Sequence, residues 1–144
     1  MFELVSALAK KAEIIDLKLC SVRLEDNRFY PWVLLIPMRE GVKNMTFLSM
    51  DDRLQLMREV AVAENVMSRL FSHDQMNVAM IGNVTPQLHV HVLCRKIGDP
   101  DWPSTVWNSR CEPYAPEDKE RVIAMIRQAI DLEKNNPEYN QNDC

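Results

Sequence analysis

Glycine is scarce in this 144-residue chain, and the scarcity excludes several nucleotide-handling devices at once. Gly41, Gly82 and Gly98 are the only three. They are too few and too far apart for a G-x-G-x-x-G dinucleotide fingerprint, a P-loop or a G-x-S-x-G nucleophile elbow. Any phosphate must be held another way. Basic excess is missing too: 17 lysines and arginines face 21 acidic residues, a net charge of -4. That balance leaves no broad footprint for a phosphate backbone, so no nucleic-acid partner is expected. No apolar run approaches the roughly 20 residues of a membrane-spanning helix, so no membrane partner is expected either. Cys20, Cys94, Cys111 and Cys144 show no Cys-x-x-Cys spacing, and no leader-like segment precedes them. A reducing, cytoplasmic location is the expectation.

What is present fits one domain. The chain is too short for a (β/α)₈ barrel, which needs about 250 residues. With 47% hydrophobic and 26% charged residues it has the means to bury a core without disulfides. The expected division is a single domain over residues 1–134 and a polar tail, NNPEYNQNDC from Asn135 to Cys144, which should fray.

Periodicity supplies the elements. Leu4, Ala7, Leu8 and Ala12 predict a short helix within residues 3–13. LKLCSVRL, from Leu17 to Leu24, and the apolar run from Trp32 to Ile36 read as an antiparallel hairpin, with Pro31 and Pro37 bracketing its second strand. Ser49 and Asp52 form a capping pair, and Leu56, Val60, Ala63, Met67 and Leu70 recur at helical spacing, which predicts a helix over 50–71. Met57 and Met67 are assigned to its packing face. Met76 to Ile81 and Gln87 to Cys94 read as two paired strands separated by GNVTP. RKIGDPDWPSTVW should be irregular, with Asp99 and Asp101 as turn residues. Pro116, Glu117 and Asp118 open a last helix with an apolar stripe of Val122, Ile126, Ala129 and Ile130. The fold class is α+β: a meandering antiparallel sheet with two main helices packed against it.

The residues with the most chemistry are Gln87-Leu88-His89-Val90-His91-Val92. In a strand, Gln87, His89 and His91 share one face at steps of about 7 Å, while Leu88, Val90, Val92 and Cys94 turn into the core. The pattern predicts an exposed row of two imidazoles and one amide. Three readings compete. Two histidines fall by chance on the solvent face of a half-buried sheet. A metal is bound, although the pair lacks a third ligand and His73, near a helix end, is more simply a surface residue. Or an imidazole attacks phosphorus while its neighbour holds a phosphate oxygen, with the GNVTP loop donating hydrogen bonds.

The segment from Asn77 to Arg95, NVAMIGNVTPQLHVHVLCR, resembles the histidine triad (HIT) family of nucleotide-binding hydrolases and transferases, whose signature is three histidines alternating with apolar residues. Gln87 stands at the first triad position, and His89 and His91 match the second and third. Together with PWVLLIP and DPDWPSTVW, the leading glutamine is similar to a bacterial subgroup described as diadenosine-tetraphosphate-hydrolase-like. The resemblance spans residues 15 to 110 and implies a HIT-like fold.

Carried onto this chain, the resemblance implies that His89 is the nucleophile at the α-phosphorus, forming a nucleotidyl-histidine. His91 would bind α-phosphate oxygens. Gln87 cannot take up a proton, yet its backbone carbonyl would still orient His89. Asn77 would match a polar phosphate-side or leaving-group contact, and Asn83 lies in the loop facing the scissile bond. The family often has a hydroxyl where Val84 stands, so Thr85 or backbone N–H groups would supply that contact. Purine and ribose would lie near Leu19, Cys20 and residues 34–36. Trp102 and Trp107 would either cover the cleft or anchor their segment, and Arg95 would either neutralise a distal phosphate or lie in solvent. The implied ligand is a purine nucleotide or dinucleoside polyphosphate, the implied assembly a homodimer, and no cofactor or catalytic metal is called for. The alternative is a non-catalytic purine-nucleotide-binding or interaction protein.

Overall fold

The computed structural model describes residues 1–108 and 110–139. Five strands form one sheet: β1 (Glu13–Asp16), β2 (Cys20–Leu24), β3 (Trp32–Pro37), β4 (Gln75–Ala79) and β5 (Val90–Arg95). Their order across the sheet is β1-β2-β3-β5-β4, and every neighbouring pair is antiparallel. The first three strands meander. The chain then crosses to the far edge for β4 and returns, so that β5 enters between β3 and β4.

Among the described residues three α-helices accompany the sheet: α1 (Ser6–Ala9), α2 (Met50–Leu70) and α3 (Pro116–Glu133). At the start of α2 the Ser49 hydroxyl accepts the Asp52 N–H at 3.1 Å, and Asp51 and Asp52 lie in the first turn, where acidic charge suits the helix dipole. Pro116 occupies the first turn of α3. The predicted apolar stripes of both helices pack on one sheet face, where Leu56, Ala63, Met67, Ile126 and Ile130 meet Val22, Val33, Leu35, Val90 and Val92 in one core. Met57 does not join them; it is 42% exposed, so the methionine reading holds only for Met67.

One polar group enters this core. Glu59 is buried, and its carboxylate accepts the Leu19 and Cys20 N–H groups at 2.7 and 2.8 Å and the Gln55 amide at 3.1 Å. These bonds offset the desolvation of the charge. They also explain a difference from the sequence reading. The strand expected from Leu17 begins only at Cys20, because residues 17–19 turn back to β1, with the Leu17 N–H on the Cys20 carbonyl. Of the helix expected within residues 3–13, α1 keeps only four residues, and β1 occupies Glu13–Asp16, mostly beyond that helix in a stretch to which the sequence reading gave no element.

The opposite sheet face carries Trp32, Leu34, Ile36 and Leu93 under Leu8, Tyr30 and Val106. Its cover is the N-terminal segment and the stretch near residue 106 rather than a long helix. Of the tail expected to fray, Pro137–Tyr139 forms a 3-10 turn whose Tyr139 ring is buried and hydrogen-bonded to Asn65 and Glu133. The remaining tail residues, Cys144 among them, lie outside the described residues.

Candidate active site

Register builds the site. His91 on β5 lies opposite Leu34 on β3 and Ala79 on β4, and Leu93 lies opposite Trp32. His91, Leu34 and Trp32 therefore share the face that the long helices leave free. There they line a cleft of about 610 Å³, which His89, Asn83, Thr85 and Trp107 also line. Its size falls in the range of small-ligand pockets. His89 and Gln87 precede β5 rather than belonging to it, since the strand begins at Val90. Leu88, Val90, Val92 and Cys94 turn into the helix-side core as expected. Burial of the Cys94 thiol pushes its pKa up to about 11, consistent with a packing role.

The row of polar side chains is not exposed. Gln87, His89 and His91 are 9%, 6% and 8% accessible, because the N-terminal segment and Trp107 close over them. The two imidazoles lie 4.9 Å apart between ring centroids, at 73°. His89 Nδ1 contacts the Gln87 carbonyl oxygen at 2.6 Å. A carbonyl only accepts, so the proton of neutral His89 resides on Nδ1 and Nε2 carries a lone pair. His91 is held in the opposite sense. The Trp32 indole N–H donates to His91 Nδ1 at 3.0 Å, so neutral His91 carries its proton on Nε2. Among the described residues no buried side-chain nitrogen or oxygen lacks a partner. Neither Nε2 has a protein partner there, so both reach the solvent of the cleft.

Burial, the neighbouring His89 and the Lys11 ammonium push the His91 pKa down to about 3. His91 is thus a neutral hydrogen-bond donor at physiological pH, and would hold a phosphate oxygen through its N–H rather than through a positive charge. Lys11 and Glu25 line the same cleft and form an ion pair with each other. Neither was expected at the site from the sequence, and Trp32 was expected only as part of a strand. They come from separate segments, and only the alternation Trp32, Leu34, Ile36 along β3 hinted that Trp32 faces the histidines.

The other expected site residues divide. Asn83 and Thr85 are at the cleft, with Val84 between them 95% exposed. The loop that carries them is tight: a Cβ on Gly82 would stand 3.0 Å from the Thr85 carbonyl oxygen. Gln87 turns its side chain from the cleft to the N-terminal segment, accepting the Val5 N–H at 3.0 Å and donating to the Glu3 carbonyl at 2.8 Å. Only its backbone serves His89.

Asn77 is not brought to the cleft. It lies opposite Leu93, one pleat beyond His91, and its side-chain oxygen accepts from Arg95 at 3.2 Å. Arg95 is neither solvated nor free for a phosphate, being 3% exposed and clamped by both Asp99 oxygens at 2.7 and 3.0 Å. Asp99 also caps the Lys96 and Asp101 N–H groups, and Asp101 accepts from the Tyr30 hydroxyl. Trp102 packs over Arg95 as an anchor, while Trp107 packs against His91, with ring centroids 4.7 Å apart. Leu19 and Cys20 lie in the helix-side core, so of the expected base-binding residues Leu34 alone lines the cleft. His73 contacts the Phe71 carbonyl at 2.9 Å. Among the described residues no three His, Cys, Asp or Glu side chains gather as a metal site.

Fold and site together define an α+β protein with two oppositely protonated imidazoles at the mouth of a small-ligand cleft. The HIT domain family model matches residues 7–98, and the chain belongs to this family. Its members are generally nucleotide-binding hydrolases or transferases. Similar solved structures include a histidine triad protein from Marinobacter aquaeolei VT8, 34% identical over 92% of this chain and 98% of the other, with a TM-score of 0.88. A histidine triad protein from Sinorhizobium meliloti 1021 is 32% identical over 90% and 97%, at 0.86. One from Bradyrhizobium japonicum is 31% identical over 90% and 98%, also at 0.86. No curated protein matches the chain.

Proposed function

We propose that this protein hydrolyses a nucleotidyl phosphate or phosphoramidate, a dinucleoside polyphosphate being one candidate, through a nucleotidyl-His89 intermediate. The observation that carries this reading is the 2.6 Å contact of His89 Nδ1 with the Gln87 carbonyl, which leaves the Nε2 lone pair to the cleft. In the first step Nε2 bonds to the α-phosphorus and the leaving group departs with the electron pair of its bond to phosphorus. The imidazole becomes cationic, and its Nδ1–H bond to the Gln87 carbonyl strengthens as charge develops. His91 Nε2–H, Asn83 and Thr85 are the donors for phosphate oxygens, and Leu34 and Trp107 offer apolar surface to the nucleoside. Water then cleaves the labile phosphorus–nitrogen bond and restores His89.

The subgroup with a leading glutamine fits the same reading, since the Gln87 side chain takes no part in the chemistry proposed. A homodimer belongs to it as well: β4 is an edge strand whose Val78 and neighbouring Met80 are 42% and 39% exposed. Light scattering giving a monomer mass would remove that part alone.

Incubation with a dinucleoside polyphosphate and with a nucleoside phosphoramidate, comparing the protein with His89→Ala, tests the function. Turnover that falls by about 1,000-fold or more in His89→Ala supports it. Equal nucleotide binding by both proteins, with turnover by neither, would instead establish the non-catalytic binding protein.

A further inference from the structure

The Trp32–His91 hydrogen bond lies behind the His91 donor used in the steps just described. An indole nitrogen can only donate, so a ring nitrogen facing it must accept. Protonating His91 at Nδ1 would oppose two N–H groups across the 3.0 Å contact, breaking that bond inside a buried site. The other charged or titratable groups at the cleft reinforce this. Lys11 raises the local positive potential, His89 adds to it once its Nε2 is bonded to phosphorus, and Glu25 is engaged by Lys11. Trp32 and Trp107 pack against the His91 ring, with centroids 5.5 and 4.7 Å away, so that a cation there would be solvated only through the Nε2 edge that faces the cleft.

We propose that Trp32 is a positioning residue that fixes His91 as a permanently neutral Nε2–H donor, and that the cleft consequently selects substrates whose leaving group departs unprotonated. The inference rests on the hydrolytic reading of the cleft for its second half only. A neutral imidazole gives a hydrogen bond to a phosphate oxygen but has no proton to release near neutral pH. With Gln87 turned away to Glu3 and Val5, and the Lys11 ammonium engaged by Glu25, the described residues offer a departing amine no acid that is not already committed to a partner. A phosphoanhydride needs none, because its leaving phosphate carries off the electron pair as an anion. A phosphoramidate does need one, because its amine leaves poorly without a proton. The site thus belongs to phosphoanhydrides such as nucleoside polyphosphates.

The test has two arms. Nitrogen-15 NMR of the histidine rings, without substrate, reads the first half. The expected spectrum shows His91 as a single Nε2–H tautomer that does not titrate between pH 8 and about pH 5, against an ordinary histidine midpoint near 6.5. In Trp32→Phe the tautomers should mix and the midpoint should rise. A wild-type His91 that carries its proton on Nδ1, or titrates with an ordinary midpoint, overturns the proposal whether or not the variant folds. The second arm compares kcat/KM for a dinucleoside polyphosphate and a nucleoside phosphoramidate at pH 7.5. A preference of about 100-fold or more for the anhydride is expected, the scale of a missing general acid. Equal or reversed preference overturns the selectivity. Turnover of neither substrate would count against the hydrolytic reading and its selectivity together, while the NMR arm would still decide the role of Trp32.

Discussion

The two faces of the sheet are built from the same strands yet sealed differently. The helix side is covered by α2 and α3, and its Val22, Val33, Leu35, Val90 and Val92 are 0% exposed. Its single buried charge, Glu59, is fully engaged by backbone N–H groups and Gln55. The other side alternates Trp32 and Leu34 with histidines and an arginine, and irregular segments cover it. Long amphipathic helices close a face completely because their apolar stripes are continuous. Short segments held by isolated hydrogen bonds leave gaps, and here the gap is the cleft. One side therefore carries stability and the other carries the candidate site, and each should be breakable without the other.

The largest effect expected on stability comes from the sealed side. Leu35→Ala should lose about 2–5 kcal/mol, the range for a fully buried leucine, in urea unfolding. The folded fraction of that variant should keep the His89 and His91 ring signals of the parent. Loss of those signals in the folded fraction would mean that the two faces are not separable.

Acid should act through the open side. Above about pH 6.5 His91 is neutral in both the folded and the unfolded chain and contributes no slope. Below it the unfolded chain takes up a proton that the folded protein refuses until about pH 3. Stability therefore falls with acidification through that window, by at most about 1.4 kcal/mol per pH unit from this group. Unfolding curves at pH 7 and pH 4.5 for the parent and His91→Gln should differ in slope in that sense. Parallel curves would place no burden of burial on His91.

A smaller effect should follow from the covering segment. Gln87→Ala removes two hydrogen bonds to Glu3 and Val5, and about 1–3 kcal/mol of local stability should go with them. Hydrogen exchange at the Val5 amide should quicken by about tenfold or more, while amides in β3 stay protected. Unchanged exchange at Val5 would show that the segment is held by other contacts.

Much of the sealed side was legible in the sequence because its signals are local. Ser49 and Asp52 announce α2, Pro116 announces α3, and Pro31 and Pro37 bound the run that becomes β3. The strand Glu13–Asp16 was not legible, since Leu4, Ala7, Leu8 and Ala12 mimic a longer helix and the partner that fixes the strand, β2, lies beyond a turn. On the open side the period of two in His89 and His91 was enough to place both at one site. The burial of that row was not, because its cover comes from residues 3–11, far away in the chain. Asn77 was placed by motif position, whereas the pairing of β4 with β5 sets it beside Leu93 and Arg95. The opposite protonation of the two imidazoles was least legible. It depends on the Gln87 carbonyl, which the family resemblance already implied would orient His89, and on the Trp32 indole, whose partner only the register of β3 against β5 reveals.

Which atom takes the nucleotide decides the proposed mechanism most directly. Rapid quenching during turnover of a dinucleoside polyphosphate, followed by intact-mass measurement and peptide mapping under non-acidic conditions, should find one acid-labile nucleotidyl group on His89. An adduct on any other residue, or turnover that passes through no covalent adduct, would contradict it.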